Sequence, residues 1–160
     1  MKTCLFTGFK PFLNYPTNPT EELALELDGQ ALGEYKIHSK ILPVAYQQAI
    51  VDMQDFAEFD LILLNGLAFE RKTICLETHA YNQIDSSRPD NRGLILEKQT
   101  IQSGGQDVLS SSFASPLLLQ LTAALRHRGH AIQLSKDPGD RKSTRLNSSH
   151  LKLSRMPSSA

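Results

Sequence analysis

With 160 residues, a formal net charge of zero and 40% hydrophobic residues, the chain fits one ordinary α/β-sized soluble domain. It has neither the basic footprint of a nucleic-acid binder nor the acidic excess of a disordered segment. A small molecule or peptide is therefore the expected partner, with no nucleic acid. The apolar runs, such as Leu61 to Leu64, are far too short to span a bilayer, and MKTCLFTGF is not a signal-peptide pattern. Cys4 and Cys75 are thus expected as free thiols in a cytoplasmic setting.

In chain order, Lys2 to Gly8 reads as an interior strand that delivers a loop rich in proline and aromatics (Phe9, Pro11, Phe12, Tyr15, Pro16). Asn18-Pro19-Thr20-Glu21 supplies an N-cap, a first-turn proline and a glutamate at the third helical position. The spacing predicts a helix to about Leu27, stopped by Gly29. Tyr35 to Val44 reads as a strand, and Tyr46 to Phe59 as an amphipathic helix through Ile50, Met53 and Ala57. Asp60 opens DLILLNG, a continuous apolar strand, which implies a sheet covered on both faces: a three-layer α/β/α sandwich around a mixed sheet.

Lys72 to Asn82 reads as one further strand. Residues 83 to 112 carry loop chemistry, with at most a short hairpin around Leu94 to Ile101. Ser115-Pro116 repeats the cap-then-proline signature, Gly129 closes that helix, and His130 to Ser135 returns as a strand. From Asp140 the composition changes. Residues 140–160 hold five Lys or Arg against one acid, a net of +4, whereas residues 1–139 carry a net of −4. The expected division is a domain over 1–139 and a basic, serine-rich, disordered tail over 140–160.

On a single strand, Thr73, Cys75, Glu77, His79 and Tyr81 would share one face. A thiol, a carboxylate and an imidazole there look like a catalytic set. At about 3.3 Å per residue, however, Cys75 and His79 would lie roughly 13 Å apart, too far for a direct pair. No metal-ligand spacing accompanies them, and no metal is expected. Phe9 and Phe12 are either walls for a flat ring or plugs in the core beneath the first helix. No glycine-rich fingerprint follows Gly8, which argues against a dinucleotide cofactor.

Several patterns occur in order: Thr7-Gly8-Phe9-Lys10-Pro11-Phe12, Asn18-Pro19-Thr20, Leu42-Pro43-Val44, Leu64-Asn65-Gly66-Leu67-Ala68, Leu76-Glu77, Pro89-Asp90-Asn91, and Ser135 with Asp137-Pro138-Gly139. Together they resemble the pyroglutamyl peptidase I family. The resemblance implies a cytosolic α/β/α cysteine peptidase that removes N-terminal pyroglutamate from peptides through a Cys-His-Glu triad. It also implies a homotetramer and no metal or organic cofactor.

Glu77 matches the triad glutamate, and Phe9 and Phe12 match the pair that sandwiches the pyrrolidone ring. Asn18, Leu67 and Arg88 complete the substrate-binding set that the resemblance implies. Leu67 stands where the family has glutamine, Phe69-Glu70-Arg71 where it has Gly-Gly-Arg, and Ser87 where it has an arginine, with Arg88 one place later.

The family cysteine falls at about Ser143, and His150 comes too early to match the family histidine. The expectation is therefore an incomplete family domain, its last elements missing, joined to an unrelated adapter-like tail and inactive as a peptidase. The competing expectation is a catalytically dead pyroglutamyl-binding or interaction module. A third is unrelated thiol chemistry through Cys75 and His79.

Overall fold

The computed structural model describes residues 1–136, apart from residues 13, 54, 55, 57, 69, 70 and 87. The sequence expectations for Asp137-Pro138-Gly139, Ser143, His150 and the tail lie outside the described residues. The central strand β1 (Lys2–Phe9) is flanked by two parallel strands, β3 (Tyr35–Leu42) and β4 (Leu61–Leu63). A short β2 (Ala31–Leu32) adds antiparallel to β3 through a turn at Gly33, giving the mixed order β2-β3-β1-β4.

Cys4 to Phe9 is buried without interruption because both faces of the sheet are covered. Alternation sends Leu5 and Phe9 into one cluster with Phe12, Leu42, Val44, Phe56 and Ile62. It sends Phe6 into another with Ala24 and Ile37. The helix α1 (Pro19–Leu27) covers the second face, and Met53 and Phe56 cover the first. The layered α/β class read from the sequence is the one observed.

Several boundaries differ from the sequence reading. The helix α2 (Tyr46–Asp52) ends well before Phe59. Beyond it the chain advances by i→i+3 bonds, from Phe56 N to Met53 O (3.3 Å) and from Phe59 N to Phe56 O (3.4 Å). Met53, Phe56 and Phe59 all reach the same cluster. The helix α3 (Ser115–His127) begins one residue early. Ala114 occupies the cap position with no side-chain bond, and Ser115-Pro116 forms the first turn, where a missing N–H costs nothing.

The largest correction concerns residues 72–82. They form two strands rather than one, and each belongs to a different sheet. β5 (Ile74–Glu77) pairs parallel with β10 (Ile132–Ser135). Thr78 then breaks the run, its N–H and hydroxyl both donating to Ser135 O (2.8 and 3.0 Å). β6 (His79–Tyr81) pairs antiparallel with β9 (Val108–Ser110), and β7 (Gln83–Ile84) with β8 (Gln99–Thr100). The expected hairpin within 94–101 does not form, because Gln99 and Thr100 pair back across the loop to Ile84 and Gln83. Among the described residues, no helix is long and apolar enough to cross a membrane.

Candidate functional site

In parallel α/β sheets the loops at the carboxyl ends of the strands form the natural binding edge. The loops after β1 and β3 are linked through the segment 89–94, and the loop after β4 is tied to β1. The first is held by Asn18, whose Oδ1 accepts from the Thr20 N–H (3.1 Å) and hydroxyl (2.9 Å) while its Nδ2 donates to Lys10 O (3.2 Å). Phe9 N in turn donates to Thr20 Oγ1 (3.1 Å). Asn18 is 1% exposed, and these bonds make it an internal brace of the Phe9–Phe12 loop.

Gly8 makes this junction possible. A Cβ there would stand 2.2 Å from Thr20 O, so the first turn of α1 can approach β1 only over a glycine.

The loop after β3 is tied to the segment 89–94. The Asp90 carboxylate accepts from Tyr46 N (3.0 Å) through one oxygen, and from Arg92 N (2.8 Å) and Leu94 N (2.9 Å) through the other. Asn91 N donates to Val44 O (2.9 Å), and Asn91 Nδ2 donates to Pro11 O (3.0 Å), linking this segment to the phenylalanine loop as well. The loop after β4 is anchored by Asn65 N donating to Thr7 Oγ1 (3.1 Å), on a threonine with no exposed surface.

Phe9 and Phe12 both lie in the buried cluster of the sheet's first face, with Leu67 packed against it. Phe9 also borders two openings. One is a small cleft lined by Pro43, Val44, Tyr46 and Asp90. The other is a cavity of about 350 Å³ between the sheet (Thr7, Leu42, Ile62) and the β6–β9 region (Tyr81, Ile84, Leu109). The Phe12 ring meets Tyr15 at 6.2 Å in a tilted arrangement. Arg88 is exposed, its backbone N–H and carbonyl engaged by Ser86 Oγ.

Glu77 ends β5 and is 2% exposed. Arg71 Nη1 lies 2.7 Å from its Oε1. The same guanidinium touches the Cys75 thiol. Although burial works against its charge, these contacts with Cys75 and Glu77 outweigh that and hold Arg71 more firmly protonated than a free arginine. The Cys75 thiol is also within reach of Gln133 Nε2 (3.5 Å) and Thr73 O (3.7 Å).

The Cys4 thiol lies 3.8 Å from the Leu5 carbonyl, and burial pushes its pKa up to about 11. The single catalytic face imagined for residues 73–81 is therefore divided. Thr73, Cys75 and Glu77 keep it, whereas His79 belongs to the β6–β9 ribbon with Nδ1 2.8 Å from Thr78 Oγ1. Among the described residues, no group of three or more His, Cys, Asp and Glu gathers as a metal site would require.

Two organising residues, Asp90 and Arg71, were named from sequence only within longer patterns and given no role. Asp90 had a signal, since Asp in a Pro-Asp-Asn-x-Gly run bonds the backbone just ahead of it. Arg71 had none beyond its place in the Phe69-Glu70-Arg71 segment, because its partner lies across a strand.

The family model for pyroglutamyl peptidase matches residues 2–141. The chain is similar to the pyrrolidone-carboxylate peptidase of Pyrococcus furiosus, at 32% identity over 138 residues covering 84% of this chain and 65% of that protein. Against the pyrrolidone-carboxylate peptidase of Deinococcus radiodurans it is 37% identical over 143 residues, 87% of this chain and 64% of that protein. Among solved structures, the pyrrolidone carboxyl peptidase from Thermococcus litoralis superposes with a TM-score of 0.80 at 28% identity, over 87% of this chain and 63% of that one. The chain thus spans about two thirds of the length of these relatives. On this match, and on the shared layered fold, the chain belongs to the pyroglutamyl peptidase family.

Proposed function

We propose that this chain carries the ring-binding loop and the acidic triad member of a cysteine peptidase that releases N-terminal pyroglutamate from peptides. In this scheme Phe9 and Phe12 grip the pyrrolidone ring, with Asn18 bracing their loop and Leu67 and Arg88 at the edge. Glu77 orients the imidazolium that serves the nucleophilic thiol. The scheme calls for no metal or organic cofactor.

The observation that carries the reading is the carboxylate of Glu77. A carboxyl group this deeply buried, at the carboxyl end of β5 and ion-paired with Arg71, marks a functional site more often than a stabilising one.

Neither cysteine among the 160 residues is suited to be the nucleophile. Cys4 is buried within β1 with its thiol held protonated, and Cys75 is buried in β5 beneath Arg71. We therefore expect these 160 residues alone to bind pyroglutamyl peptides without hydrolysing them.

Calorimetric titration with a short pyroglutamyl peptide tests the binding. Saturable heat is expected, at least tenfold weaker for the same peptide beginning with glutamine, and weakened by Phe9→Leu, which keeps apolar volume but removes the flat wall. No heat with the pyroglutamyl peptide would refute the assignment. Release of coumarin from a pyroglutamyl-coumarin substrate by the purified chain would refute the claim of binding without turnover.

A further inference from the structure

We infer that Arg71 is a positioning residue for Glu77: its guanidinium holds the buried carboxylate ionised and fixed in direction on its face of β5. The inference rests on Glu77 serving the chemistry proposed above, and extends it to a residue outside the triad and the ring pocket.

The geometry begins with the backbone. Arg71 lies three residues before β5, and its N–H donates to Ala68 O (2.9 Å), which closes a turn in the loop after β4. From that turn the side chain reaches over the face of β5 that carries Cys75 and Glu77, two residues apart and so on the same side. The guanidinium touches the thiol of the first and meets Oε1 of the second at 2.7 Å. The Glu77 side chain is 1% exposed and that of Arg71 24%, so solvent does little to neutralise the carboxylate and the arginine supplies compensating charge in direct contact with it.

A planar fork of fixed donors directs a carboxylate as well as neutralising it, and a lysine at this place would supply charge without direction. The role required of the carboxylate, orienting an imidazolium, depends on both. Holding Arg71 through a turn of the β4 loop also couples Glu77 to the loop edge where Leu67 meets the phenylalanine cluster.

A stability cycle on the 160-residue chain tests this. Folding constants from urea titrations at pH 7 and pH 5 would be compared for the parent, Arg71→Met, Glu77→Gln, the double variant and Arg71→Lys. Arg71→Met strands a buried carboxylate, and its folding constant is expected to fall about 100-fold or more at pH 7. The loss should shrink at pH 5, where Glu77 can take up a proton, and most of it should be recovered when Glu77→Gln is added. Arg71→Lys should recover stability, yet shift the carboxyl ¹³C resonance of Glu77 because direction is lost.

A loss equal at both pH values, or one that Glu77→Gln does not relieve, would mean that Arg71 only packs, and would overturn the inference. Should Arg71→Met fail to fold, Glu77→Gln and the double variant still decide. In that background methionine at 71 should cost less than about tenfold, and a larger loss overturns the inference.

The underlying functional reading fails separately. If the cycle shows coupling but no pyroglutamyl peptide binds, Arg71 is a structural partner and its positioning role falls with the function. If the peptide binds without coupling, only the role of Arg71 falls.

Discussion

Residues 1–45 and residues 71–111 are comparable lengths of chain that meet at one site, yet they are specified in different ways. In the first, the helix and its turns are set by signals a few residues apart, and one long parallel pairing joins the strands. Asn18 caps the helix that starts at Pro19, Gly29 turns the chain with φ 75°, and β1 and β3 pair in parallel along their whole length. In the second, local ties such as Arg71 to Glu77 and Leu94 to Asp90 are combined with short pairings between separate segments: β5 with β10, β6 with β9, and Tyr46 with Asp90. On that difference the first region is expected to hold as a frame and the second to open more easily. The phenylalanines proposed to grip a ligand ring sit in the first region, and the Arg71–Glu77 pair sits in the second.

The sharpest way to break this contrast is at Gly8. Gly8→Ala puts a Cβ within 2.2 Å of the Thr20 carbonyl, an obstacle of backbone that cannot rotate away. The first turn of α1 must shift, and with it the Asn18 brace. A loss of about 3 kcal/mol, at the upper end of overpacking costs, is expected in urea unfolding followed by circular dichroism. An unchanged midpoint would mean that α1 is not seated on β1 as described.

The same contrast explains what could be read from sequence. The layered fold, β1, α1 and the cap at Asn18 were legible because their causes lie within about four residues of their effects. The helix from Tyr46 was read too long because Ile50, Met53 and Ala57 recur at helical spacing; Ala57 lies outside the described residues, and past Asp52 the N–H groups of Phe56 and Phe59 reach back only three residues. Residues 72–82 were read as one strand because alternation continues through Thr78, and only Ser135, 57 residues away, reveals the break. Glu77 was singled out through family resemblance, and it lies buried at the end of β5. Its partner Arg71 was not singled out, since nothing local marks a guanidinium that reaches across a strand to a carboxylate six residues on.

Asp90 tests whether the second region opens as a unit. Asp90→Ala leaves the N–H groups of Tyr46, Arg92 and Leu94 without their acceptor, at an expected cost of about 2 kcal/mol. The effect should be regional. In hydrogen exchange the amides of Arg92, Leu94 and the β7–β8 pair should lose protection, while those of Phe6 and Ile37 keep it. Equal loss of protection in both regions would show that the two unfold as one.

The two thiols lie one in each region, and Cys4 provides the finest test. Burial raises the Cys4 thiol to about 11, above its unfolded value. The stability it contributes is therefore fully present below the unfolded pKa and is lost as pH rises toward 11. At pH 10 the difference is about 1 kcal/mol, taking an unfolded thiol near 9 and 1.36 kcal/mol per pKa unit. Cys4→Ala creates a small cavity and lowers stability at pH 7, but it should flatten this alkaline slope, and urea midpoints between pH 7 and pH 10 would reveal it. Cys75 instead lies among Arg71, Thr73 and Gln133. If the slope persists in Cys4→Ala, the alkaline weakness does not arise from the thiol buried in β1, and the frame is not its source.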